Sequence, residues 1–211
     1  MCWGNNMPVM VLDQELAEEI LEGRNGFSRS NRREEVWVGV TYIMPEANVE
    51  HDDIAGFFYR AFWAVFGADE RNRIQFRVNL SDRTKGWKSN YRVPDTMVFL
   101  AGNPAKLCGT HYRGGPDIAL EVLSPDDKSR EKLDFYALIG TREVIILDRD
   151  PWQLELYHLQ REKMILVGAI KPGDGKKLAS RVGPIEYQLI RSRPRAKVKI
   201  IHTETGQEWV G

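Results

Sequence analysis

GGPDIALEVLSPDDKSREKLDFYA, from Gly114 to Ala137, is the stretch on which the fold of this chain turns. Its middle is a run of strand-forming apolar residues, yet Glu121 stands between Leu120 and Val122. At period two, Ile118, Leu120 and Val122 take one face, and Ala119, Glu121 and Leu123 take the other. An ionised carboxylate on a face that packs against another layer needs a cation, a donor or water. Lys128 and Lys132 follow at once, on a segment that reads as a helix capped by Asp127, running to about Ile139 and ended by Gly140. The strand therefore carries an acid and the next helix carries cations that can face it.

Upstream, VPDTMVFL reads as a neighbouring strand with the same peculiarity, Asp95 after Pro94 and before an apolar run. Two carboxylates on adjacent strands can converge on one hard cation. Magnesium takes one or two carboxylates plus waters and phosphate oxygens and needs no histidine. Further out, EVWVGVTYIM from Glu35 reads as a strand, and Asn48 as the cap of a helix with Ile54, Phe57, Phe58, Ala61, Phe62, Val65 and Phe66 at helical spacing. RIQFRVNL alternates as a half-wet strand, REVIILD and LELYHL follow the second helix, and at least two strands lie around IEYQLI and AKVKII. Asp13 to Glu22, closed by Gly23, reads as a short helix ahead of all this. The element order implies an α/β or α+β class, with a central mixed sheet flanked by helices and extra C-terminal β-hairpins.

At 211 residues, 42% hydrophobic and 28% charged, the chain suits one globular domain with a sizeable core. No apolar run approaches the roughly 18 residues of a membrane helix. The start MCWGNNMPVM has no basic stretch followed by an apolar block, so no secretory signal is expected. Two cysteines, Cys2 and Cys108, make neither a disulfide framework nor a CxxC metal site, which favours a reducing cytoplasm. Lys+Arg and Asp+Glu balance at 30 each, which excludes a chain coated in basic charge. The balance hides an asymmetry, because residues 161–211 hold 11 Lys+Arg against 5 Asp+Glu. There is no glycine-rich phosphate loop, GxSxG elbow, HExxH helix or histidine pair at ligand spacing.

Asp95 after proline, Glu121 in PDIALEVLSP, then Lys132 and Tyr136 in EKLDFY together resemble the PD-(D/E)XK nuclease superfamily, and more closely its Uma-type restriction endonuclease family, common in bacteria. The likeness runs from about Glu35 through the hairpin after REVIILD and is most specific over Gly115 to Asp148. It implies a restriction-endonuclease-like core over about residues 31–205, with residues 1–30 as an N-terminal helical extension. The activity it implies is metal-dependent phosphodiester hydrolysis, with Mg²⁺ or Mn²⁺, on nucleic acid, above all double-stranded DNA. Carried over, Asp95 is the first acid and a metal ligand, and Glu121 is the second. Leu123 holds the place of the usual lysine two residues on, and Lys132 matches the family's lysine on the following helix, with Lys128 in reserve. Glu35 matches the acid at the start of the family's first strand. Cleavage of both strands of a duplex commonly takes two sites, and the likeness suggests a homodimer.

The residues also admit plainer readings. Glu121 can be one half of a structural ion pair, Asp95 a strand-entry turn residue, and Lys132 a solvated helix lysine. Asp117 reads as a turn cap, His51 as a capping or surface residue, and Tyr136 as core packing. Val38 to Val40 stand where the family often has Asp-Gly-Glu, which motivates an alternative: a non-catalytic nucleic-acid-binding or protein-interaction domain that retains the fold. The tail residues Arg191, Arg193, Arg195, Lys197 and Lys199 share one face if extended, as a phosphate-contacting stripe or as the charged guard of an edge strand.

Overall fold

A computed structural model describes residues 9–11, 34–44, 47–124 and 127–211. The helix expected over residues 13–22 lies outside them. The described chain opens with β1 (Val9–Val11), β2 (Glu34–Trp37) and β3 (Val40–Ile43), then the long helix α1 (Val49–Phe66). Seven short strands follow: β4 (Arg73–Phe76), β5 (Leu80–Ser81), β6 (Tyr91–Arg92), β7 (Thr96–Phe99), β8 (Lys106–Leu107), β9 (Tyr112–Arg113) and β10 (Ile118–Val122). A 3₁₀ turn, Ser129–Lys132, leads into α2 (Leu133–Leu138). The rest is strand: β11 (Glu143–Arg149), β12 (Trp152–Gln160), β13 (Lys163–Ile170), β14 (Leu178–Ala179), β15 (Ile185–Ile190), β16 (Lys197–His202) and β17 (Glu208–Val210).

The central sheet has the order β13-β12-β11-β10-β7-β4, with β10 and β11 parallel and their other neighbours antiparallel. Its two faces pack against different layers, as the alternation in β10 requires. Ile118, Leu120 and Val122 join Ile145 and Leu147 against α1 and the four-stranded C-terminal sheet β14-β15-β16-β17. Ala119 and Leu123 join Met97, Phe99, Val144 and Ile146 against α2 and part of a seven-stranded sheet, β1-β3-β2-β6-β5-β9-β8. Glu121 lies on this second face.

The expected apolar stripe of α1 is buried at Ile54, Phe57, Phe58, Ala61, Phe62 and Phe66, and the Asn48 side chain caps the helix by accepting from His51 N at 2.9 Å. RIQFRVNL is not one strand. Arg77 takes a left-handed φ of 53°, and the chain passes from β4 in the central sheet to β5 in the seven-stranded one. The second helix is shorter than expected, because its first turn over Ser129–Lys132 is 3₁₀. β16 is no edge strand either, since β15 and β17 pair with it on its two sides.

Candidate active site

The site forms where β2, the entry to β7, the end of β10 and the 3₁₀ turn meet. Asp95 enters beside β10, its N–H donating to Leu120 O at 3.0 Å and its Oδ2 accepting from Val122 N at 2.9 Å. Its carboxylate thus continues the ladder that β7 and β10 hold up to Thr96 and Leu120. Asp95 and Glu121 therefore sit on neighbouring strands, at the same end of β10.

Glu35 faces inward on β2. Trp37, two residues on and so on the same face, donates from Nε1 to Glu35 Oε2 at 2.8 Å, and Val93 N donates to Oε1 at 2.9 Å. The Arg92 guanidinium stacks over the Trp37 and Phe135 rings at 4.5 and 4.3 Å and locks this corner.

The 3₁₀ turn explains how a lysine from another element reaches Glu121. Residues three apart eclipse one another in 3₁₀ geometry. Ser129 and Lys132 are such a pair, and both meet Glu121: Ser129 Oγ lies 3.4 Å from Oε2, and Lys132 Nζ lies 3.2 and 3.1 Å from the two oxygens. Lys132 Nζ also donates to Glu35 Oε1 at 3.0 Å. Tyr136, one helical turn beyond Lys132, donates from its hydroxyl to Glu121 Oε1. Arg130 anchors the turn by bonding Glu155 and Asp148. Lys128 pairs instead with Glu131 at 3.4 Å and does not line the site.

Lys132 is buried, which alone would depress its pKa, but the Glu121 and Glu35 carboxylates outweigh burial and raise it. Glu121 is pushed up to about 8, first by burial, opposed by Lys132 and reinforced by the charges of Glu35 and Asp95. Burial and the same two glutamates lift the Tyr136 hydroxyl well above its usual value, so it stays a donor. Four acids, Glu35, Asp95, Glu121 and Asp127, thus face the Lys132 ammonium, with the Arg77 guanidinium 3.9 Å from Asp95 and the buried Arg92 guanidinium near Glu35 and Glu121. Such a crowd of carboxylates favours a retained proton or a bound cation.

His51 belongs to the site as well, against its expected surface role. It is buried in the first turn of α1, with Nε2 3.2 Å from Asp95 Oδ2 and Nδ1 3.3 Å from Asp52 Oδ1. Asp117 is bonded by Leu100 N, Asn103 and Arg142 far from the cavity, as a structural acid should be. Glu35, His51, Asp95, Glu121, Asp127 and Lys132 line a cavity of about 30 Å³, room for a small cation or one or two waters. Among the described residues no group of three or more His, Cys, Asp or Glu side chains is spaced to hold a metal ion. The donor set fits a hard cation bound by the two carboxylates Asp95 and Glu121 and otherwise by water and phosphate, and it does not fit one caged wholly by protein. Val38 and Gly39, where the acidic tripeptide was lacking, form the β2–β3 turn and do not line the cavity.

Comparison with solved structures finds a crystal structure titled as a putative nuclease belonging to DUF820 from Anabaena variabilis, with a TM-score of 0.57 and 19% identity, covering 78% of this chain and 89% of that one. That likeness supports the nuclease-like α/β fold. Comparison with curated proteins finds no match. A family model described as "Uma2: Putative restriction endonuclease" matches residues 18–182, most of the chain and every residue of the cavity. The chain belongs to the Uma2 family.

Proposed function

We propose that the protein is a divalent-metal-dependent endonuclease that hydrolyses phosphodiester bonds in DNA, with Asp95, Glu121 and Lys132 as its catalytic residues and Glu35 as their support. The observation that carries this reading is the buried ammonium of Lys132 held between Glu35 and Glu121, beside a cation-sized cavity lined by Asp95. A structural ion pair needs one carboxylate per ammonium, and this one has two partners with a third acid alongside.

Asp95 and Glu121 would hold Mg²⁺ or Mn²⁺. A cation there supplies charge neutralisation at the phosphate and a bound water of lowered pKa. Lys132 presents N–H donors at the same wall, where a phosphate oxygen or the attacking water competes with Glu35 for one of them. Tyr136 and Ser129 keep the Glu121 carboxylate oriented, and His51 does the same for Asp95. Glu35 holds Lys132 in place independently of Glu121. Two copies acting as a homodimer would cut both strands of a duplex, and the cysteine usage suits a cytoplasmic setting.

Nicking of supercoiled plasmid tests this. Activity should require Mg²⁺ or Mn²⁺, fail with Ca²⁺, whose looser coordination positions water poorly, and vanish in Glu121→Gln. Metal-dependent nicking that survives Glu121→Gln would place the activity elsewhere. A second reading is a non-catalytic nucleic-acid-binding or protein-interaction domain that keeps the fold, supported by the lack of a three-ligand cluster among the described residues. Calorimetric titration with Mg²⁺ and Mn²⁺ separates the two, because the second predicts no heat of binding.

A further inference from the structure

Three strands of the central sheet, β10, β11 and β13, run in one direction, because β11 and β13 are both antiparallel to β12. Their carboxyl ends therefore share one end of the sheet, where Val122 of β10 lines the cavity that holds Asp95 and Glu121. Register continues across that end from Val122 to Leu147, Leu154 and Ile170. At about 4.8 Å per strand, Ile170 stands about 14 Å from Val122, some four base-pair steps of duplex. Lys171 follows it. Beside the cavity lies a cleft of about 440 Å³ that shares Ser124 and Asp127 with it and takes its other walls from the ends of β10 and β11 and the start of α1. The carboxylates of Glu50, Asp127, Asp148 and Asp150 line this cleft, and its guanidiniums, Arg130 and Arg149, are already bonded to Glu155, Asp148 and Glu50. Phosphate is repelled there.

The far rim of the cleft has the opposite sign. From Lys171 to Lys197 the chain carries eight Lys and Arg against two acids. Of those acids, Glu186 pairs with Lys177, and Asp174 accepts from the backbone N–H groups of Lys171 and Lys176. The loop between β15 and β16 is drawn to this rim at both its ends. At the first, Arg191 Nε donates to Pro172 O and Gly173 N to Leu189 O, each at 3.2 Å, which sets the loop beside Lys171. At the second, Arg195 Nη1 lies 3.1 Å from Oε1 of Glu50, a residue of the cleft wall and the chain neighbour of His51 in the cavity. Arg193 stands midway between these anchors. Lys171, Lys176 and Arg193 are exposed and, among the described residues, have no ion-pair partner.

The geometry points to this rim, with Lys171, Lys176 and Arg193 as its contacts, as the surface that holds the phosphate backbone of duplex DNA a few base pairs from the cavity. A duplex is stiff over about 150 base pairs and so bridges the acidic cleft, whereas a flexible single strand follows its walls. The inference rests on the nuclease reading, but its test does not depend on cleavage. Binding of a fluorescein-labelled random-sequence duplex of about 20 base pairs is measured by anisotropy over a salt series, with chelator present. Changing Lys171, Lys176 and Arg193 together to Ala should weaken binding at least about tenfold and flatten the slope of log K against log salt by about 2 to 3. The fold, read by circular dichroism, should be unchanged, and the set Lys171→Arg, Lys176→Arg and Arg193→Lys should retain binding. A control of equal charge removes Lys85, Lys106 and Arg113, which lie on β8, β9 and the loop bonded to them through His111, by the start of β10. It should bind within about twofold of the unaltered protein. Unchanged affinity and slope in the rim variant would overturn the inference, and so would an equal loss in the control, which would reduce the effect to net charge. Equal affinity for a single strand, or tighter binding of poly-glutamate, would overturn duplex DNA as the partner. Rim-dependent binding by a protein that never nicks DNA would leave the inference standing and remove the nuclease reading instead.

Discussion

Two glutamates lie buried on the neighbouring parallel strands β10 and β11, and they have opposite fates. Glu143 is wholly enclosed: Ser180 Oγ at 2.9 Å, Arg181 N at 3.1 Å, Tyr187 Oη at 3.2 Å and His158 Nε2 at 3.2 Å surround its carboxylate. It welds the central sheet to the C-terminal one. Glu121 meets Lys132, Tyr136 and Ser129, and it also borders a cavity shared with three more acids. Burial therefore does not separate the proposed catalytic carboxylate from a structural one. The distinction is whether donors fill the carboxylate's shell or a cavity borders it.

The comparison predicts opposite mutational signatures. Glu121→Gln should lower nicking by about three orders of magnitude while the protein still folds, since the amide keeps an acceptor for Tyr136. If Glu121→Gln instead unfolds the protein and leaves nicking intact, the two roles are reversed. Lys132→Ala should abolish nicking and also destabilise by about 3–5 kcal/mol, because Glu35 and Glu121 are left buried without their cation. Urea denaturation read by tryptophan fluorescence measures it. Glu143→Gln should retain nicking but cost about 2–4 kcal/mol, as the amide turns donors toward donors; scanning calorimetry should show a lower melting temperature.

A third glutamate sharpens the contrast at the smallest scale. Glu155 lies in register with Ile146, which lies in register with Glu121, so one row of the sheet holds both acids. Burial would raise the pKa of Glu155, but hydrogen bonds from Arg130, Tyr157 and Gln153 outweigh it and hold it low. A depressed carboxylate contributes stability above its unfolded pKa and loses it as pH falls through the folded value. The loss should therefore come below about pH 4.5, amount to under about 1 kcal/mol for so exposed a partner as Arg130, and disappear in Arg130→Ala. Melting temperatures across that acid range test it.

Much of the site was legible because its residues break local rules. A glutamate amid Leu120 and Val122 and an aspartate at a strand entry are costly enough to demand a reason, and the period-two pattern placed Glu121 on the correct face. His51 was missed although a signal existed, since it stands three, four and seven residues before Ile54, Ala55 and Phe58 and so on the buried stripe of α1. The Asn48 cap drew attention to the helix end and away from its face. Tyr136 read as packing because a phenol serves core and hydrogen bond alike. The break inside RIQFRVNL was hidden, since alternation on either side of Arg77 continues through a change of sheet. The inner position of β16 depends on pairing with a strand that follows it, which charge at period two does not encode.

The 3₁₀ turn that presents Ser129 and Lys132 to one carboxylate has a consequence for how such enzymes are found and altered. A lysine carried two residues after its acid inherits the pleat of that strand, so neither can move without the other. Here the ammonium arrives on a separate element, eleven residues downstream of Glu121. Drift in the strand and drift in the turn are then independent, and Leu123 is free to serve the core. Scans that demand a contiguous acid-x-lysine string pass over such a chain, whereas a search for two carboxylates and an ammonium in space recovers it.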